Sequence, residues 1–243
     1  MTVTTRSVVT ACIATLVAGA AYFGTMALTG AVVVLVVGVA LGWPALLHLR
    51  APGTSGFVVA LVGLGAVGVV TVTDGEPVLR NLPVVVAMGL LLAFVNELAR
   101  HPRDALVENV SGVVSGIVVA VGCSGWLAAG MSDEGAQLVV ACAAALAVAA
   151  VVCAMPLRGW ANAVVTTGLA VATGAGIGAA LPKLLIPAGA WAGLVAGVLV
   201  AAVYALLGHL PTARGRLASL SAATLPVAVG GILIFVVGRL VVT

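Results

Sequence analysis

The densest chemistry in this chain lies between positions 96 and 109, in the string NELARHPRDALVEN. Asn96 and Glu97 open it, Glu108 and Asn109 close it, and Arg100, His101, Arg103 and Asp104 stand between. Guanidinium and imidazole groups bind phosphate oxygens through charge-assisted hydrogen bonds, while neighbouring carboxyls position a cation or a proton. The combination fits a surface site for a phosphate or a lipid head group. A second basic group, His209, Arg214 and Arg216, would extend that site if the chain brings it to the same face. The competing reading is a solvated loop, with basic anchors, Pro102 as a turn and Glu108 placed favourably near a helix N-terminus.

Other chemistry is not indicated. Cys12, Cys123, Cys142 and Cys153 lie in apolar runs without CxxC spacing, which points to small buried hydrophobes rather than a zinc site or a disulfide framework. The sequence carries no Walker-type phosphate loop, HExxH or GxSxG. No catalytic residue, metal or cofactor is assigned.

The elements that hold these residues follow from composition. The chain has 243 residues, of which 63% are hydrophobic and 7% charged, with a mean hydropathy of +1.32. A soluble surface needs roughly a quarter of its residues charged. Repeated apolar runs of about 20 residues instead match helices crossing a hydrocarbon core about 30 Å thick. The period-two alternation of a membrane β-barrel is missing. The expected fold is therefore all-α, a polytopic transmembrane bundle forming one membrane domain over residues 1–243.

Nine spans are expected, at 8–27, 30–47, 56–72, 82–98, 110–131, 137–155, 161–181, 188–208 and 220–242. The first resembles a secretory signal, with Ala18, Gly19 and Ala20 as a cleavage-like site, but its apolar run continues to spanning length and reads as a retained helix. With the N-terminus inside, Arg6, Arg50, Arg100, Arg103, Arg158, Arg214 and Arg216 are cytoplasmic, against Arg80, Lys183 and Arg239 outside. Seven against three obeys the positive-inside rule and gives an N-in, C-out protein of the cell (inner) membrane. Because the basic residues lie singly at span ends rather than in a stripe, nucleic acid is not an expected partner. Trp43, with Pro44, His48 and Arg50, reads as an interfacial helix end. Similar Pro and Arg strings after alternate spans allow a weak parallel repeat, about 30–131 with 137–243.

Small residues supply the packing that lipid-immersed helices need. Gly112 and Gly116, Gly174 and Gly178, and Gly189, Gly193 and Gly197 recur every four residues, one stripe per helix. Packing within the chain is the primary reading, and a homo-oligomer or another membrane protein the alternative. Gly63, Gly65 and Gly68 allow a bend in the third span. Hydroxyls at Ser111, Ser115, Thr166, Thr167, Thr173 and Thr224 are expected to bond back to their own helices.

At GWPALLHLRAPG and VNELARHPRDALVENVSGVVSG the chain resembles uncharacterised multi-pass membrane proteins of high-GC actinobacteria, often labelled permeases. That resemblance implies no activity and no site residues. A looser similarity to integral-membrane phosphatidate cytidylyltransferases fails at the motifs, since HLPTARGRLASLS replaces their signature and Lys183 is the sole lysine. The function expected is permease-like transport or presentation of a small or lipidic substrate, with membrane lipids as partners. The alternatives are a scaffold for other envelope proteins and a head-group enzyme.

Overall fold

The computed structural model describes residues 3–73, 75, 77–99, 105–155, 159–208 and 215–241. Within them the chain forms ten helices and no strand: α1 (Val3–Phe23), α2 (Thr25–Leu46), α3 (Pro52–Val72), α4 (Leu82–Leu98), α5 (Leu106–Gly122), α6 (Ser124–Ala129), α7 (Asp133–Cys153), α8 (Trp160–Ala180), α9 (Ile186–Gly208) and α10 (Arg216–Val241). α5 and α6 run on as one 24-residue crossing, which makes eight helices of spanning length and composition. α4 is shorter, and its 17 residues sit at the lower limit for a span. The chain is an all-α bundle of membrane-spanning helices. Crossing by crossing, the starts of α1, α3, α5, α8 and α10 fall at one face, called here the basic face.

Several boundaries differ from those expected, and each has a local cause. α1 ends at Gly24, whose φ of 113° is open to a residue without a Cβ; the hydropathy profile runs through this point without a dip. α1 also begins at Val3, so the polar turn containing Arg6 and Ser7 enters the bundle instead of standing outside it. α7 starts at Asp133 because Ser132 caps it, its Oγ accepting from the Gly135 N–H at 3.1 Å. Cys12 is exposed, unlike the other three cysteines, because it lies on the outward side of α1. α3 continues unbroken through its glycines; Gly63 is buried against Val36 and Ala120.

Two apolar cores hold the helices. The larger joins α1, α2, α6, α7, α9 and α10 around Trp126, Leu138, Leu146 and Ile234. The smaller joins α3, α4 and α5 around Val59, Val62, Ala93 and Ile117. Trp126 is fully buried and donates its indole N–H to the Val227 carbonyl at 2.7 Å. α8 and α9 meet backbone to backbone. A Cβ on Gly174 would strike the Gly189 carbonyl oxygen, one on Gly193 the Ala170 carbonyl oxygen, and one on Gly197 would lie 2.7 Å from Thr167 Cα. At Gly178 the Leu185 carbonyl would stand 3.1 Å away.

Trp43 is not interfacial. It is buried between α2 and α5, where Gly112 and Gly116 leave a recess for the indole and the Gly112 carbonyl accepts its N–H at 2.8 Å. A Cβ on Gly116 would fall 2.6 Å from the ring, and one on Gly112 2.5 Å from Leu49 Cδ2. Trp43→Phe is expected to cost about 1 kcal/mol, the net value of one hydrogen bond, read as a lower Tm in detergent.

Candidate functional site

The geometry at the basic face starts from the end of α2. Its last turn closes with a hydrogen bond from the Leu49 N–H to the Pro44 carbonyl at 2.9 Å, the six-to-one bond that ends many helices on a left-handed residue. Glycine usually fills that left-handed position. Here it is His48, with φ of 54°. The turn directs Arg50 toward α5, and the Arg50 N–H donates to Asn109 Oδ1 at 3.3 Å.

Asn109 is the junction of the site. It is 2% exposed and donates from Nδ2 to Glu97 Oε1 at 3.1 Å, while Glu97, 3% exposed, ends α4. A buried polar group is tolerated when it is hydrogen-bonded, and this amide uses both ends of its side chain. It thereby joins α4, α5 and the α2–α3 turn. Glu97 and Arg50 each have a further interaction partner. Asn96 Nδ2 is buried without a hydrogen-bond partner.

Above this junction lies an open pocket of about 390 Å³, lined by Leu47, His48, Arg50, Glu108, Ser111 and Ser115 among others. Glu108, Ser111 and Ser115 share one exposed side of α5. At 1.5 Å per residue, Glu108 to Ser115 covers about 10 Å along the helix. The pocket therefore runs from the first turn of α5 about two turns along the helix. Its charged end holds imidazole, guanidinium and carboxyl groups, and its inner end holds hydroxyls. Ser111 donates to the Glu108 carbonyl at 3.0 Å and Ser115 to the Ser111 carbonyl at 2.7 Å, so each keeps acceptor capacity toward the pocket.

Among the described residues, only two non-glycine residues have positive φ, and both adjoin this region: His48, and Ala105 at φ 55° before α5. Such residues cost free energy and persist where the surrounding structure holds them in place. His48→Gly is expected to raise stability by about 1 kcal/mol by relieving the left-handed strain while weakening whatever the imidazole binds. A Tm measured beside a binding assay separates the two effects.

The residues singled out in the sequence divide into three groups. Glu97 and Asn109 come together, and Glu108 lines the pocket beside them. Arg216 begins α10 and is exposed, but it is not part of the pocket lining. Arg100, His101, Arg103, Asp104, His209 and Arg214 lie outside the described residues. His48, Arg50, Ser111 and Ser115 were not joined to the site from sequence. Parity of the crossings already puts residues 48–50 at the face of residues 108–109; what joins them is the left-handed ending of α2 at His48, where no glycine marks it.

The opposite face has two smaller pockets, of about 330 and 350 Å³, which share Met131 and Ser132. Arg239 lines the first, with its guanidinium 5.4 Å from the Phe235 ring centre, and Lys183 lines the second. Close-packed Trp126, Leu138 and Leu146 occupy the core between the faces. Among the described residues no group of three or more His, Cys, Asp or Glu side chains is arranged to hold a metal ion.

Comparison with protein-family models, with curated proteins and with solved structures finds no match to this chain.

Proposed function

We propose that this membrane protein engages a phosphate-bearing lipid at its basic face, in the pocket formed by the α2–α3 turn and the first turns of α5, and that it presents or moves that lipid in a permease-like manner across the cell (inner) membrane. One observation carries the reading: an open pocket on an exposed helix side has basic groups and a carboxyl at the helix end and hydroxyls one and two turns further along. A phospholipid has the matching order of groups. Its phosphate meets Arg50 and His48, an amine on the head group meets Glu108, and the glycerol oxygens descend toward Ser111 and Ser115. Guanidinium suits the phosphate because its planar fork offers two parallel donors.

Two further features support the reading. Strained His48 and Ala105 gather at this end, as strained residues do at ligand sites. The pockets at the opposite face each contain one cation, Arg239 or Lys183, which suits the same head group at the other leaflet. The scaffold alternative loses support because the α8 and α9 glycine stripes are occupied by each other.

Native mass spectrometry of protein extracted in a nonionic detergent tests the binding step. Wild type retains phospholipid, and Arg50→Ala lowers its occupancy about tenfold, the scale of one charge-assisted hydrogen bond. Equal lipid retention by Arg50→Ala, His48→Ala and wild type would overturn the assignment.

A further inference from the structure

Arg6 reads from sequence as a surface anchor, yet its side chain is only 8% exposed, and Nε and Nη1 are both buried without a hydrogen-bond partner. A guanidinium does not lose its charge on burial, and a buried charge is strongly unfavourable unless it is paired. No carboxyl of the neighbouring helices is placed to pair it. α1 packs on α2, α7 and α10, and Thr10 of α1 lies 3.0 Å from the Tyr204 hydroxyl of α9. α1, α2, α9 and α10 contain no Asp or Glu, and those of α7, Asp133 and Glu134, begin that helix at the opposite face.

Hydroxyls of α1 and α9 meet at this level of the bundle instead. Ser7 Oγ is buried without a hydrogen-bond partner. The Tyr204 hydroxyl lies 3.0 Å from Thr10 Oγ1, one turn further along α1. Thr10 Oγ1 lies 2.8 Å from the Ala223 carbonyl and 3.0 Å from the Arg6 carbonyl, fixing α1 against α10 at this level. A buried cation next in sequence to an unpaired hydroxyl, with no acidic partner among the packed helices, forms the donor set of an anion site.

We propose that Arg6, with Ser7, binds a phosphate group between α1, α9 and α10. The guanidinium supplies two parallel donors and the Ser7 hydroxyl supplies a donor at the side. Basic recesses between membrane helices at the cytoplasmic side take anionic head groups in the same way. The site shares no residue with the α2–α5 pocket and does not depend on that pocket's function. The phosphate has two sources, the head group of an anionic phospholipid and free inorganic phosphate.

The test uses the full chain carrying Arg50→Ala, so that the α2–α5 pocket does not contribute, in a nonionic maltoside detergent. Thermal unfolding is followed with added inorganic phosphate, phosphatidylglycerol or phosphatidylcholine. The expected result is a rise in Tm with phosphatidylglycerol or with inorganic phosphate and none with phosphatidylcholine. A response to phosphate alone assigns the free anion, and a response to phosphatidylglycerol alone assigns the lipid. Adding Arg6→Met is expected to weaken the apparent affinity at least about tenfold, and Arg6→Lys to recover part of it. Ser7→Ala, which keeps the packing, weakens it less and serves if Arg6→Met fails to fold. No rise with either phosphate source, or an undiminished rise in both Arg6→Met and Ser7→Ala, overturns the proposal.

Discussion

Replacing Asn109 with leucine is expected to destabilise the protein by about 3 kcal/mol, the scale on which breaking a buried polar pair from one side acts. The amide donates to Glu97 and accepts from the Arg50 N–H. Leucine fills similar space but leaves the buried Glu97 carboxyl without this donor and the Arg50 N–H without its acceptor. For a chain of this size the loss corresponds to a fall in Tm of about 6–12 °C. Glu97→Gln keeps an oxygen for the Asn109 N–H and is expected to cost about 1 kcal/mol. The double variant Glu97→Leu with Asn109→Leu should cost less than the sum of the two single variants, because the hydrogen bond they share is lost only once. A double variant as unstable as the sum of the two singles would show that the pair is not coupled.

The second large effect is expected at the α8–α9 seam. Gly174→Ala places a methyl group onto the Gly189 carbonyl oxygen, and backbone on both sides prevents the relief that a flexible side chain would give. Overpacking of this kind costs about 1–3 kcal/mol, and this site should fall at the upper end. Gly168, on the same helix, has open space where a Cβ would stand. Gly168→Ala should therefore be neutral or gain up to about 1 kcal/mol from helix propensity. Paired melting curves check the contrast. Equal Tm values for the two variants would show that α8 and α9 do not meet through these glycines.

Much of the architecture was legible because apolar runs of spanning length are a strong signal. Short turns rich in Pro and charge separate most of them, so α3, α4, α8 and α9 lie close to their expected positions. Positions that depend on a partner elsewhere in the bundle were not legible. Gly24 ends a helix through its φ angle, which hydropathy does not register. Arg6 and Trp43 have side chains typical of a membrane surface, and only neighbours far along the chain place them inside: Tyr204 and Ala223 near the turn of Arg6, Gly112 and Gly116 against Trp43.

The candidate site divides in the same way. Glu97, Glu108 and Asn109 stood out because polar residues are rare in this chain and these are close together in it. Their link to His48 and Arg50 spans 59 positions. It rests on the left-handed ending of α2, which the histidine at that position conceals, since glycine is the residue that usually marks such an ending.

The central claim is that the pocket between the α2–α3 turn and α5 holds a lipid by its phosphate. Site-directed photo-crosslinking tests it most directly. A photoreactive side chain is placed at Ser115 inside the pocket and, separately, at Val198, which is 52% exposed on α9, in protein held in a bilayer of phospholipid and uncharged diacylglycerol. The account predicts that adducts at position 115 are enriched in phospholipid over the bilayer ratio, that Arg50→Ala removes the enrichment, and that adducts at position 198 follow the bilayer ratio in both backgrounds. Adducts at position 115 that follow the bilayer ratio with Arg50 intact would contradict it.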